Sequence, residues 1–122
     1  MAGFTNAESV ATLDARFPTT GATDYVAYST NGSTEAGIMA RTSVGATGWA
    51  SATNADPSVK ANASALTSAA ASGSGTISHF AIFTASSGGT QRTDWTALTA
   101  SKAVTSGDTV TWAIGALKVT LT

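Results

Sequence analysis

The sequence predicts an all-β fold with one short N-terminal helix: a single-domain β-sandwich or jelly-roll-like barrel. Three observations carry this reading. Helical periodicity is confined to the N-terminus, where Val10, Leu13 and Phe17 recur at three- and four-residue spacing. Beyond it, short runs of β-branched and aromatic residues recur roughly every eight to twelve residues between turn signals, the pattern of sandwiches and jelly rolls. Ala, Thr and Ser make up roughly half of the 122 residues, a bias away from the usual even mix. Thr suits strands, and Ala fills a thin core.

The helix opens at Thr5, whose hydroxyl, with Glu8 three residues on, fits a capping box. Phe4 sits where a hydrophobic staple would. Pro18 and Gly21 end the helix. Its apolar face is narrow, so it is stable only when docked. Residues 1–21 therefore read as a helix or arm, and 22–122 as the β-sandwich domain.

The strands follow in order. Asp24–Thr30 carries Tyr25, Val26 and Tyr28 and runs into Asn31-Gly32, a tight-turn signal. Ile38–Val44 is the second candidate. Val59–Leu66 alternates weakly, Val59, Ala61, Ala63 and Ala65 against Lys60, Asn62, Ser64 and Leu66. Ala69–Gly75 is a small-residue loop. Thr76–Thr84 is apolar on both faces, which predicts a central strand buried on both sides. Gly88-Gly89 turns the chain into short pieces at Asp94–Leu98 and Ala100–Val104. Thr109–Ile114 and Ala116–Leu121, split by Gly115, close it, with Trp112 alternating with Val110 and Ile114 as core.

Composition excludes several functions. Six Lys and Arg against seven Asp and Glu leave a net charge of −1, with none of the basic excess that nucleic acid requires. Charged residues are only 11% of the chain. Without Cys there is no disulfide framework or thiolate chemistry, and one His cannot build a multi-His metal site. The first residues lack a basic n-region and an apolar h-region, and no run is long enough to span a membrane.

Chemistry-bearing residues are sparse. His79 beside Ser78 could serve as a base, but it lies mid-strand, where a hydrogen-bonded sheet residue is the simpler reading. Asp24, Glu35, Asp56, Asp94 and Asp108 are scattered singly next to turn-forming residues. No pair stands out at the spacing a glycosidase needs. No enzymatic activity and no cofactor or metal is expected. Trp49 and Trp95 are the aromatic residues best placed for an exposed role, stacking on a sugar or anchoring an interface. Asn31-Gly32-Ser33 and Asn62-Ala63-Ser64 match the glycosylation acceptor pattern, which means little without a secretory signal.

The order of short motifs carries a resemblance. His79-Phe80-Ala81-Ile82-Phe83-Thr84-Ala85, Gly88-Gly89, Leu98, Lys102-Ala103-Val104, Gly107-Asp108-Thr109 and Gly115-Ala116-Leu117-Lys118-Val119 resemble a group of small tailed-phage virion proteins. Asp24-Tyr25-Val26-Ala27-Tyr28, Glu35-Ala36-Gly37 and Ala40-Arg41 extend the similarity into the first half. Met39 stands where an aromatic often precedes Ala-Arg, and Asn31-Gly32 replaces a Pro-Gly turn. Members of the group are head decoration, minor tail or tail-fibre proteins.

The resemblance implies a virion structural protein, made in the host cytoplasm. The leading expectation is a capsid decoration (cement) protein on the shell, binding the major capsid protein as a homo-oligomer, a trimer by preference. The alternative is a minor tail or tail-fibre component that contacts tail proteins and host-surface glycans. Neither reading involves nucleic acid or a membrane. The candidate partner contacts are Phe4, Val10, Leu13 and Phe17 on the arm, with Trp49 and Trp95.

Overall fold

The computed structural model describes residues 5–55 and 57–121. Phe4 and Asp56 lie outside the described residues. One helix, α1 (Asn6–Arg16), precedes the strands β1 (Tyr25–Ser29), β2 (Thr42–Ser43), β3 (Ser58–Ala61), β4 (Leu66–Thr67), β5 (Gly75–Phe83), β6 (Thr96–Val104), β7 (Thr111–Trp112) and β8 (Lys118–Leu121). The paired strands run antiparallel, and the class is all-β with one short N-terminal helix. Two compact units divide the chain. One spans Met1–Ala22, Val44–Ala65 and Trp112–Thr122, and the other Thr23–Ser43 and Leu66–Thr111.

In the first unit, the Thr5 hydroxyl accepts from the Glu8 amide at 3.2 Å and caps α1. The helix docks on β3, which pairs with β8, Lys60 lying opposite Val119. Ser9 and Leu13 are its buried residues, the C-cap Phe17 is buried beyond them, and Val10 is only half-buried. Phe17 meets the buried Trp49 edge to face, ring centroids 5.3 Å apart.

The face of β3 is the reverse of the apolar one. Ser58, Lys60 and Asn62 are buried, while Val59 and Ala61 are half-buried. Each buried polar group has a partner, as burial demands. Lys60 Nζ donates to Asp14 Oδ1 at 2.6 Å. Ser58 Oγ donates to the Thr53 carbonyl at 2.7 Å. Asn62 Nδ2 donates to the Ala113 carbonyl at 2.9 Å, and its Oδ1 accepts from the Leu117 amide at 2.9 Å. Asn62 ends the expected Val59–Leu66 strand by bonding across to the 113–117 turn. That turn leaves Ile114 exposed, against the core position its alternation with Trp112 predicts. Gly48 is required where it stands, since a Cβ there would lie 1.8 Å from the Val44 carbonyl oxygen.

The second unit holds a four-stranded sheet in the order β2-β1-β5-β6. The central position expected for Thr76–Thr84 is that of β5, where Ile77, Ala81 and Ile82 are fully buried. Tyr28 faces Phe80 across the ladder, and its buried hydroxyl bonds Thr42 Oγ1 at 2.6 Å. The second candidate strand shrinks to Thr42–Ser43. The two pieces expected after Gly89 are one strand, β6, broken by a bulge: Ile77 pairs with Lys102 and His79 with Ala97, so residues 98–101 face Ser78 alone. The Asn31-Gly32 signal builds a self-capped loop in which Asn31 Oδ1 accepts from the Ser33 and Thr34 amides and Ser29 Oγ from those of Asn31 and Gly32.

Candidate functional site

The most organised polar cluster lies at one end of the four-stranded sheet, around Arg41. This side chain is only 6% exposed. Its Nε and Nη2 each donate to a different Glu35 oxygen at 2.8 Å, a bidentate pair. Nη1 donates to the carbonyls of Ala85 and Gly88, both at 2.8 Å. The guanidinium carbon lies 3.9 Å from the centroid of the Phe83 ring. The hydrogen bond to Glu35 holds the Arg41 pKa above its ordinary value, so its charge is permanent. One residue thereby ties the loop after β1 to the hairpin after β5.

The hairpin is braced from within. The Thr84 amide donates to the Thr90 carbonyl at 3.1 Å, and Thr84 Oγ1 accepts the Thr90 amide at 2.9 Å. The Arg92 amide donates to the Ile82 carbonyl, and the Ile82 amide to Thr93 Oγ1. The Arg92 guanidinium lies 3.1 Å from the buried carboxylate of Asp24. Trp95 follows on this framework, half-buried, with its ring 6.0 Å from Phe83. Arg41, Phe83 and Trp95 thus form a connected row, the two rings tilted at 53° to each other and both half-buried.

The candidate contacts fare differently. Leu13, Phe17 and Trp49 are buried in the chain and offer no outer surface, because the helix spends its apolar face on Trp49 and β3. Val10 and Trp95 keep partial exposure, and Phe4 lies outside the described residues. His79 Nδ1 is 2.7 Å from Ser78 Oγ, and the ring packs on Gly32, where a Cβ would lie 2.9 Å from Nε2. Asp108 accepts from the Thr105 amide and hydroxyl, the expected turn role. Asp24 departs from that expectation, being buried against Arg92. Among the described residues no group of three or more His, Asp or Glu could hold a metal ion, and no helix is long and apolar enough to cross a membrane.

Sequence reasoning missed Arg41 as a hub and the Asp14–Lys60 pair. Their partners lie 44 to 47 residues away along the chain for the Arg41 carbonyl bonds, and 46 for Lys60. Only Glu35, six residues from Arg41, lies near enough in the chain to hint at the Arg41 hub.

No curated protein matches the chain. A family model described as podophage GP4 fiber I protein gp80 matches residues 4–120. The match spans nearly every residue. The chain belongs to this family of tailed-phage virion structural proteins.

Proposed function

We propose that the protein is a building unit of a virion fibre, present in several copies, with a binding rather than a catalytic task. The observation that carries this is the family match over residues 4–120, whose description is that of a fibre protein. It favours the tail-fibre alternative over capsid decoration. The geometry agrees with a structural role: polar side chains are spent on bracing loops, as Arg41 and Asn62 are. Trp95, backed by Phe83 and the Arg41 clamp, is the residue we assign to contact with host-surface glycans.

Labelling intact virions with an antibody to this chain tests the placement. Signal on the tail fibres at low copy number is the expected result, and signal over the capsid lattice would restore the decoration reading. Binding of the purified chain to host envelopes, with Trp95→Ala as the comparison, tests the glycan contact. Equal binding of both would remove Trp95 from that role.

A further inference from the structure

Of the four Asn residues, Asn31 alone is followed by Gly; Asn6, Asn54 and Asn62 precede Ala. The amide carbon of an Asn side chain is open to attack by the backbone nitrogen of the next residue. Any other following residue shields that nitrogen with its Cβ, and glycine has none. The step balances in its atoms. Gly32 N bonds to Asn31 Cγ, and the Asn31 amide nitrogen leaves as ammonia, carrying the Gly32 N–H proton. Water then opens the cyclic imide to an aspartyl or an isoaspartyl residue. Asn31 is exposed, so water reaches it.

The folded loop engages each group this step needs. Asn31 Oδ1 accepts the Ser33 amide at 2.8 Å and the Thr34 amide at 3.0 Å, and Nδ2 donates to Thr34 Oγ1 at 3.1 Å. The side-chain amide is thereby fixed over residues 33–34. The Gly32 N–H is spent on Ser29 Oγ at 2.9 Å. Ser29 anchors the network. It is fully buried, it pairs with His79 in the β1–β5 ladder, and its hydroxyl donates to the Thr34 carbonyl at 2.6 Å and to Asn31 Oδ1 at 3.1 Å. Gly32 takes φ +76° and lies against the His79 ring, and the Ala36 amide closes the loop on the Tyr28 carbonyl at 2.8 Å. Closing the imide ring breaks the Oδ1 bonds and frees the Gly32 N–H, so it waits for the loop to open.

We infer that Asn31 is the deamidation site of this chain and that Ser29 holds it shut in the folded molecule. Conversion is confined to the fraction of time that the loop is open. The two products act differently. An aspartyl residue keeps the acceptor oxygen for the Ser33 and Thr34 amides and loses only the donor to Thr34. An isoaspartyl residue lengthens the backbone by one carbon, four residues before the Glu35 that Arg41 grips. Ageing of this one amide therefore alters the loop that presents Glu35 to the clamp. The inference does not depend on where the chain sits in the virion.

The test follows the full chain during incubation at mildly alkaline pH, folded and in guanidinium chloride, beside a synthetic peptide of residues 27–36. Peptide mapping by mass spectrometry reads the aspartyl and isoaspartyl forms of position 31, with the Asn-Ala sites as references in the same digests. The denatured chain is expected to convert at the rate of the peptide, and at position 31 ahead of the Asn-Ala sites. The folded chain is expected to convert at least about tenfold more slowly. Ser29→Ala removes the anchor, and Thr34→Val removes the acceptor of Nδ2 at an exposed position should the first variant unfold. Circular dichroism confirms that the variant used is folded. Each folded variant is expected to convert faster than the folded wild type. A folded wild type that converts as fast as the peptide overturns the lock, as do folded variants that stay as slow as wild type. A denatured chain that converts no faster at Asn31 than at the Asn-Ala sites overturns the assignment itself.

Discussion

Asp14 Oδ1 lies 2.6 Å from the ammonium of Lys60, and the Lys60 side chain is completely buried while that of Asp14 is 38% exposed. The same oxygen accepts the Ala52 amide at 3.0 Å. A carboxylate at the rim of the helix thus supplies the countercharge for a cation inside. Replacing Asp14 by Asn is expected to destabilise the chain by about 2 kcal/mol, discounted for the solvent that screens Asp14. Pairing Asp14→Asn with Lys60→Met should recover most of that loss, because the buried charge goes too. Urea denaturation of the four proteins of the cycle measures both effects.

The pair also sets an acid limit. Burial raises the Asp14 pKa, but the bonds from Lys60 and Ala52 more than offset it, and the pKa ends below its ordinary value. A carboxyl depressed in the folded state contributes stability that is present above its unfolded pKa, near 4, and is lost as pH falls through the folded pKa. Wild-type stability is expected to fall across that acid window, and the fall to be shallower in Asp14→Asn. Denaturation midpoints measured from pH 6 down to pH 2 check this.

Arg41→Lys keeps the charge and loses the fork. Lysine cannot bond both Glu35 oxygens while reaching the Ala85 and Gly88 carbonyls. A loss of about 1–3 kcal/mol is expected. The local signature is faster amide hydrogen exchange in the hairpin after β5, with the centre of β5 less affected.

Asn62→Ala removes both side-chain bonds that hold the 113–117 turn and takes the side-chain acceptor from the buried Leu117 amide. Destabilisation of about 2–4 kcal/mol is expected in chemical denaturation. The same burial closes the Asn62-Ala63-Ser64 acceptor pattern to any modifying enzyme while the chain is folded.

Gly48→Ala places a methyl group against the Val44 carbonyl oxygen, a backbone atom that no rotamer change can move. The expected cost is about 3 kcal/mol or more. A fall in thermal midpoint well beyond that of an exposed Gly37→Ala control, where a Cβ meets nothing within 4 Å, is the check.

Local chemistry made some elements legible from sequence. The Thr5 cap, the central β5 with apolar groups on both faces, the Asp108 turn and the all-β class all follow from residues near one another in the chain. Periodicity misled at β3, where the more apolar face of the strand is not the buried one. Lys60 and Asn62 turn inward because Asp14 and the 113–117 turn meet them there, partners 46 and 51 or more residues distant. The same reason hid the Arg41 clamp.

By itself the sequence determined the class of fold, the sparse chemistry and the motif order that marks a tailed-phage virion protein. Those properties are local or additive, so composition and spacing express them. Tertiary structure alone decided which polar residues go inside, that Leu13, Phe17 and Trp49 serve the core, and that Ile114 points outward. A buried charge or amide is tolerated only where a specific partner arrives, and the arrival of a partner from far along the chain is a property of the folded molecule.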